Sequence, residues 1–485
     1  MAPVLSQYTS ITDLQRALYD GRTSVKEVVL HYLEQIDGLN GQLNAVTAIN
    51  SNALEEAERL DKLPPEQRGP LHGLPLLIKD QIETAGIPTC FGSKLCKDYI
   101  PTKDAAIIQR LKSAGAIILA KTTQPDWAAG WFSTSSLTGT TQHPHDSSRD
   151  PGGSSSGCGT GVAAGMGLAA IGGDTCGSIR LPASFCGLVG VRVTPGRISR
   201  QGMSALVKTL DTPGPMCGNV EDAARILDVL VGFDESDSFT SINALAPRRG
   251  DFPFSDAIVK PILQGRRIGV LRQVFGTHRG IRTLLDDTLH KLSLSGGKLI
   301  DVEIPDLDRY TQSTSVYTLR SKADINEFCA SREDLAHIKI EDVYHSGEYH
   351  ECINLTGALV SADFHKNPHY SAKLEEIGDF QRSVAGIYAK HDLDAIIYPT
   401  CQVLAPKTKD VLDMEWHSGA FPTNTAIGSY LLFASVSVPI GRAKDDGYPE
   451  DPELPVGLEI LGVPLSEERI LNIAAGIEGV IMQGR

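Results

Sequence analysis

The sequence predicts one large α/β domain whose sheet contains parallel strands covered by helices on both faces, and three observations carry that expectation. Two short, almost wholly apolar runs, LPLLIKD (Leu74–Asp80) and AIILAKT (Ala116–Thr122), read as strands buried on both sides. Between them DAAIIQRLKSAG (Asp104–Gly115) has helical periodicity and ends in glycine, which makes a strand–helix–strand unit. The alternation returns further on in RRIGVLR, GIRTLLDDTLHKLSLSG and KLIDVEI.

Taken in order, TSVKEVVLHYLEQIDG opens the helical part. Ser24 with Glu27 forms a capping box, apolar residues from Val25 to Ile36 recur at helical spacing, and Gly38 is expected to stop the run. The two buried strands and their helix follow. GVAAGMGLAAIGG (Gly161–Gly173) is apolar and made of small side chains, so it belongs in the core, read here as a closely packed helix. DAIIYPT (Asp394–Thr400) and ASVSVPI (Ala434–Ile440) supply later strands, AKDDGYPEDPE (Ala443–Glu453) reads as a polar surface loop, and SEERILNIAAGIEGVI closes the chain as an amphipathic helix.

Bulk properties narrow the function. The 485 residues are 41% hydrophobic and 21% charged, ample for a large core. A net charge of −14 argues against nucleic acid or an anionic membrane as the main partner. The start has no secretory pattern, and no apolar stretch reaches the length of a membrane span. Nine scattered cysteines without CxxC spacing point to reduced thiols in the cytoplasm and to no metal knot; no cofactor motif stands out.

The stretch PGGSSSGCGTG (Pro151–Gly161) needs an explanation of its own. A flexible linker would not lead straight into a core segment. Gly159-x-Gly161-x-x-Ala164 matches a dinucleotide fingerprint, and Gly153-Ser154-Ser155-Ser156-Gly157 matches a nucleophile elbow that would activate Ser155, but both motifs need a preceding strand. The preceding GTTQHPHDSSRDP is polar and proline-bearing, and His72, His143 and His145 read as loop or satisfied polar residues. A further reading joins this stretch to GGDTCGSIRLPASFCGLVG (Gly172–Gly190), which carries a second serine on a tight glycine-bounded turn, and to Lys79 at the end of an apolar strand. Two such serines and a lysine can activate a hydroxyl without histidine.

On GLPLLIKD, PGGSSSG, GGDTCGSIRLPASFCGLVGVRVTPGRIS and LDTPGPM, the chain resembles the amidase signature family, with weaker echoes in AGAIILAKTTQPDWA, DAIIYPT and LPVGLEILG along nearly its whole length. The resemblance implies a central mixed, mostly parallel twisted sheet in one domain over 1–485. Its parts would be N-terminal helices (1–70), a catalytic core (71–232), a variable helix-rich segment (233–393) and closing strands and helix (394–485). It also implies a Ser–cis-Ser–Lys triad: Ser178 as nucleophile, Ser154 on a cis peptide bond as relay, 24 residues before it, and Lys79 as base. Backbone N–H groups of Thr175, Cys176, Gly177 and Ser178 would form the oxyanion hole, with Ser155, Asp174 and Arg180 in support. Three positions depart from the family's common pattern, Ser156 and Cys176 replacing glycines and Val193 a proline, and none removes a backbone donor. The Cys176 thiol is expected to be packed.

The expected activity is hydrolysis of a small carboxylic amide, aryl or apolar in its acyl part, through a Ser178 acyl-enzyme. The aromatic residues Trp127, Trp131 and Phe132 are candidates for the substrate pocket. Three alternatives stand beside it: the glutamine-hydrolysing subunit of a tRNA-dependent amidotransferase, a serine esterase of the same scaffold, and a catalytically dead binding protein. A homodimer is the family-level expectation.

Overall fold

In the computed structural model, which describes residues 8–246 and 253–482, the apolar runs assemble into one sheet of eleven strands. The strands are β1 (Val46–Ile49), β2 (Pro75–Lys79), β3 (Ile117–Thr122), β4 (Ala169–Asp174), β5 (Val189–Arg192), β6 (Thr212–Cys217), β7 (Arg267–Val270), β8 (Lys298–Asp301), β9 (Ala395–Pro399), β10 (Ala434–Ala443) and β11 (Leu454–Gly462). Their spatial order is β1-β3-β2-β4-β6-β5-β10-β11-β9-β7-β8. Helices cover both faces, as the near-complete burial of β2, β3, β4, β9 and β11 requires.

The sheet is mixed, as the resemblance implies, but parallel pairs do not predominate. They occur in two blocks, β3–β2–β4 and β8–β7–β9, each built around a strand–helix–strand unit legible in the sequence. The remaining pairings are antiparallel, including the long β10–β11 hairpin at the centre.

Two local expectations are corrected. The helix capped by Ser24 runs Val25–Leu43, through Gly38, after an earlier one at Ile11–Tyr19, and ends at Asn44 in the left-handed conformation (φ 49°). Its N-terminus has the capping box, with Glu27 N donating to Ser24 Oγ and Ser24 N to Glu27 Oε2. One glycine costs a helix interior only about 1 kcal/mol, and Asn40 compensates by accepting the N–H groups of Ala45 and Val46. The small-residue run divides: a helix over Ser156–Ala163, a turn at Gly165, then strand β4. Alanine favours helix and glycine neither element, and pairing with β2 and β6 overrides that local preference.

Candidate active site

Strands β2 and β4 lie side by side and parallel, Leu76 opposite Ala169 and Ile78 opposite Ile171. Their C-terminal ends therefore share one edge, where open α/β sheets build their sites. Lys79, the last residue of β2, and the loop Thr175–Ile179 after β4 meet there.

The serine stretch supplies the third component. Residues 150–155 belong to no helix or strand, and the peptide bond between Gly153 and Ser154 is cis. The helix after it starts at Ser156 and runs tightly under the sheet: a Cβ on Gly157 would lie 2.2 Å from the Ala45 carbonyl oxygen. Lys79 is fully buried. Its Nζ lies 2.8 Å from Ser154 Oγ and 3.1 Å from the Gly173 carbonyl oxygen, and no carboxylate among the described residues contacts it. Burial pushes its ammonium down from 10.5 to about 7, against the weaker opposing influence of Cys158, Asp174 and Asp211.

Ser155 ties the two loops together. Its N–H donates to the Ser178 carbonyl (3.1 Å), and its Oγ bonds both the carbonyl and the N–H of Gly173. Ser178, 4% exposed, lines a cleft of about 300 Å³.

The loop Thr175–Ser178 is shaped by what binds its polar groups. The Cys176 carbonyl accepts from Trp131 Nε1 (3.1 Å) and Thr425 Oγ1 (2.9 Å), and Thr175 Oγ1 donates to Asp211. Gly177 has φ +115°, and a Cβ there would lie 2.0 Å from Thr425 Oγ1, so only glycine fits. Its N–H donates to Asp174 Oδ1 (2.8 Å). Among the described residues, the N–H groups of Thr175, Cys176 and Ser178 have no protein acceptor, which leaves those three for a ligand oxygen. The Cys176 thiol is buried, and burial pushes it up to about 12.

Beneath the loop Asp174 accepts from Arg180, Arg192, Gly177 and Ile179. Arg180 also reaches Glu459 on β11 and Ser429. Burial alone would raise the Asp174 carboxyl, but the two guanidinium groups hold it well below the ordinary range.

Of the three aromatic residues the sequence suggests for the pocket, Trp131 lines the cleft. Trp127 is stacked on Phe91 (5.5 Å) in the apolar cluster behind it. Phe132 packs edge-on against Phe421, with its backbone against Gly153. Other walls come from residues with no signal in the sequence: Tyr317, Thr318, Leu355, Ser418 and Tyr430, together with Cys176 and Ser178. Among the described residues, the cleft lining includes no charged side chain.

The Amidase family model matches residues 27–471. The chain belongs to the amidase family. It is 32% identical to a glutamyl-tRNA(Gln) amidotransferase subunit of Methanosarcina mazei, over 98% of this chain and 97% of that one. Its fold superposes on native peptide amidase from Stenotrophomonas maltophilia with a TM-score of 0.85 and 29% identity, covering 98% and 97% of the two chains. The corresponding glutamyl-tRNA(Gln) amidotransferase subunit from Thermotoga maritima is also similar, with a TM-score of 0.73 and 25% identity, covering 93% and 90%. This amidase is accordingly an enzyme of the class that acts on amide C–N bonds. No helix among its described residues is long and apolar enough to cross a membrane.

Proposed function

We propose that this amidase hydrolyses small, uncharged carboxylic amides with an aryl or apolar acyl group, through an acyl-enzyme on Ser178. A single observation carries the chemistry: a fully buried lysine whose side-chain partner is the Ser154 hydroxyl. An ordinary lysine is an acid at neutral pH, whereas burial makes Lys79 available as an uncharged base.

As Ser178 Oγ attacks the amide carbonyl carbon, its proton moves to Ser154 Oγ while the Ser154 proton moves to Lys79 Nζ. The new oxyanion is met by the free N–H groups of Thr175, Cys176 and Ser178, fixed before the reaction by the bonds that hold the Cys176 carbonyl. The relay then runs backwards, protonating the leaving nitrogen as the C–N bond breaks. Water attacks the acyl-enzyme by the same route, giving the acid and restoring both serines. Gly177 acts as the bend and Asp174 as its anchor, while Ser155 holds the two serine loops in register.

The substrate class follows from the cleft. Trp131, Tyr317, Tyr430 and Leu355 offer aromatic and apolar surface, and no charged group among the described residues lines it to pair an ionised substrate. Free glutamine would bring an ammonium and a carboxylate into that slot without counter-charges. A second reading remains favoured by the relatives' names: glutamine hydrolysis as one subunit of a tRNA-dependent amidotransferase.

A panel of neutral primary amides, anilides, esters and glutamine, scored for ammonia or amine release, tests the choice. Neutral aryl or alkyl amides are expected to lead. Glutamine alone as substrate, or activity only with co-purifying subunits, would reverse it. Ser178→Ala is expected to abolish turnover and Ser155→Ala to leave a measurable remnant; a covalent adduct on Ser155 would support the elbow chemistry instead.

A further inference from the structure

We infer that the loop joining β10 and β11 is an electrostatic strap that positions the serine stretch, and that Asp445 and Asp451 on it are positioning residues for Ser154. The polar surface loop Ala443–Glu453 lies across Arg149, five residues before the relay serine.

Arg149 is among the most deeply buried large side chains of the protein, and all its nitrogens are engaged. Nη1 binds Asp445 (2.8 Å) and the Ala405 carbonyl (2.7 Å), Nη2 binds Asp451 (2.7 Å), and Nε binds Asp146 (3.3 Å). Lys407 pairs with the same Asp451 carboxylate and donates to Ser148 Oγ. The Tyr448 ring faces both cations, 5.3 Å from the guanidinium carbon and 4.8 Å from the ammonium. Residues 149 and 407 also form an isolated β-bridge, flanked by Thr408 N to Ser148 O and Asp150 N to Pro406 O. Asp451 thus clips two chain segments together through both of their cations.

What this clip holds is the start of a segment whose far end is fixed by Ser155 and the helix after it. The segment 150–155 is neither helix nor strand, so its position depends on a few side-chain anchors. Asp150 is the next of them: it accepts from Gly152 N, Ser133 N and Ser133 Oγ. The chain of contacts therefore runs from the loop through Arg149 and Asp150 to the Gly153–Ser154 bond, ending 2.8 Å from Lys79 Nζ. A relay that passes protons tolerates little displacement. A network of two cations sharing three carboxylates is also a setting in which partly exposed pairs become worth counting.

The experiment uses the full-length enzyme and the double variant Asp445→Asn/Asp451→Asn. These carboxylates are 20% and 23% exposed, so both amides can be solvated and the fold retained. We expect kcat on the best neutral amide to fall at least tenfold with KM changed less than twofold. Labelling of Ser178 by a fluorophosphonate should slow by the same factor, and amide hydrogen exchange over 150–155 should quicken at least tenfold. Arg149→Lys, which keeps one cation, should recover part of the rate lost in Arg149→Met. Unchanged exchange over 150–155 would overturn the strap whatever the activity, and so would unchanged kcat and labelling when exchange in 444–453 shows the loop released. The exchange measurement decides the positioning independently of the chemistry assigned to Ser178, whose own failure would show as a wild type that is never labelled.

Discussion

Raising the pH tests the uncharged lysine most directly. Only the neutral amine can accept a proton, so kcat/KM for a neutral amide should track the deprotonated fraction of Lys79 in the free enzyme. With burial holding the group at about 7, that fraction is about 9% at pH 6, half at pH 7 and about 91% at pH 8. Activity should therefore fall tenfold per unit below neutrality and level off above pH 8. The sign is fixed by the direction of the shift: a depressed lysine releases its proton early, so the active form gains as pH rises. At the ordinary value of 10.5 the neutral fraction at pH 8 would be only about 0.3%, and the rate would still climb tenfold per unit towards pH 10.

The assay is ammonia release from a non-titrating primary amide across pH 5.5–9.5, at several temperatures. Asp150 and Asp211, both raised by burial to about 6, also titrate near this limb. Temperature separates them, because an ammonium pKa falls markedly on warming whereas a carboxyl pKa hardly moves. A rate still rising tenfold per unit between pH 8 and 9.5, or a limb near neutrality that ignores temperature, would refute the reasoning.

Four substitutions probe the rest of the site. Gly177→Ala places a methyl 2.0 Å from Thr425 Oγ1 at φ +115°, so kcat should drop at least about a hundredfold, measured beside a melting curve to show that the protein still folds. Trp131→Phe removes the N–H that holds the Cys176 carbonyl and should lower kcat about tenfold, whereas Tyr317→Leu should mainly raise KM for aryl amides; steady-state kinetics of the two variants checks the contrast. Arg180→Met leaves Asp174 and Glu459 as buried carboxylates short of a partner, so unfolding by denaturant should show a loss of about 3–5 kcal/mol.

Much of the frame was legible because it rests on local patterns. The apolar runs that became β2, β3, β7 and β9 are short, and the helices between them are periodic, so the strand–helix–strand unit in each parallel block could be read residue by residue, whereas β4, read as part of a helix, could not. The roles of Lys79, Ser154 and Ser178 come from the resemblance, whose stretches place each on its own glycine-bounded turn or strand end. The antiparallel centre was less so, because which strands pair depends on contacts far apart in sequence. The same holds at the site. Thr425 and Trp131 grip one carbonyl, Glu459 reaches Arg180 from β11, and Asp451 spans Arg149 and Lys407. Glu459 and Arg180 lie in stretches that carry the resemblance, but nothing in the sequence marks which of these residues meet. Trp127 and Phe132 show the limit from the other side: an aromatic residue near a site in sequence does not reveal which way its ring turns.

The site keeps two opposite electrostatic regimes within a few residues of each other. Lys79 is pushed down to about 7 because burial outweighs the charges around it and its contacts are only a hydroxyl and a carbonyl. Asp174, next to that carbonyl in the chain, is equally buried yet stays ionised because Arg180 and Arg192 bind it. The two arrangements depend on each other. A bare Asp174 carboxylate would favour the Lys79 ammonium and spoil the base, whereas one matched by two guanidinium groups exerts little of that pull. The same matched carboxylate receives the Gly177 N–H and so bends the loop that presents the remaining amides. Support for the loop and neutrality of the lysine are in this sense one requirement, and it explains why a protein would bury two arginines and an acid where no substrate reaches them.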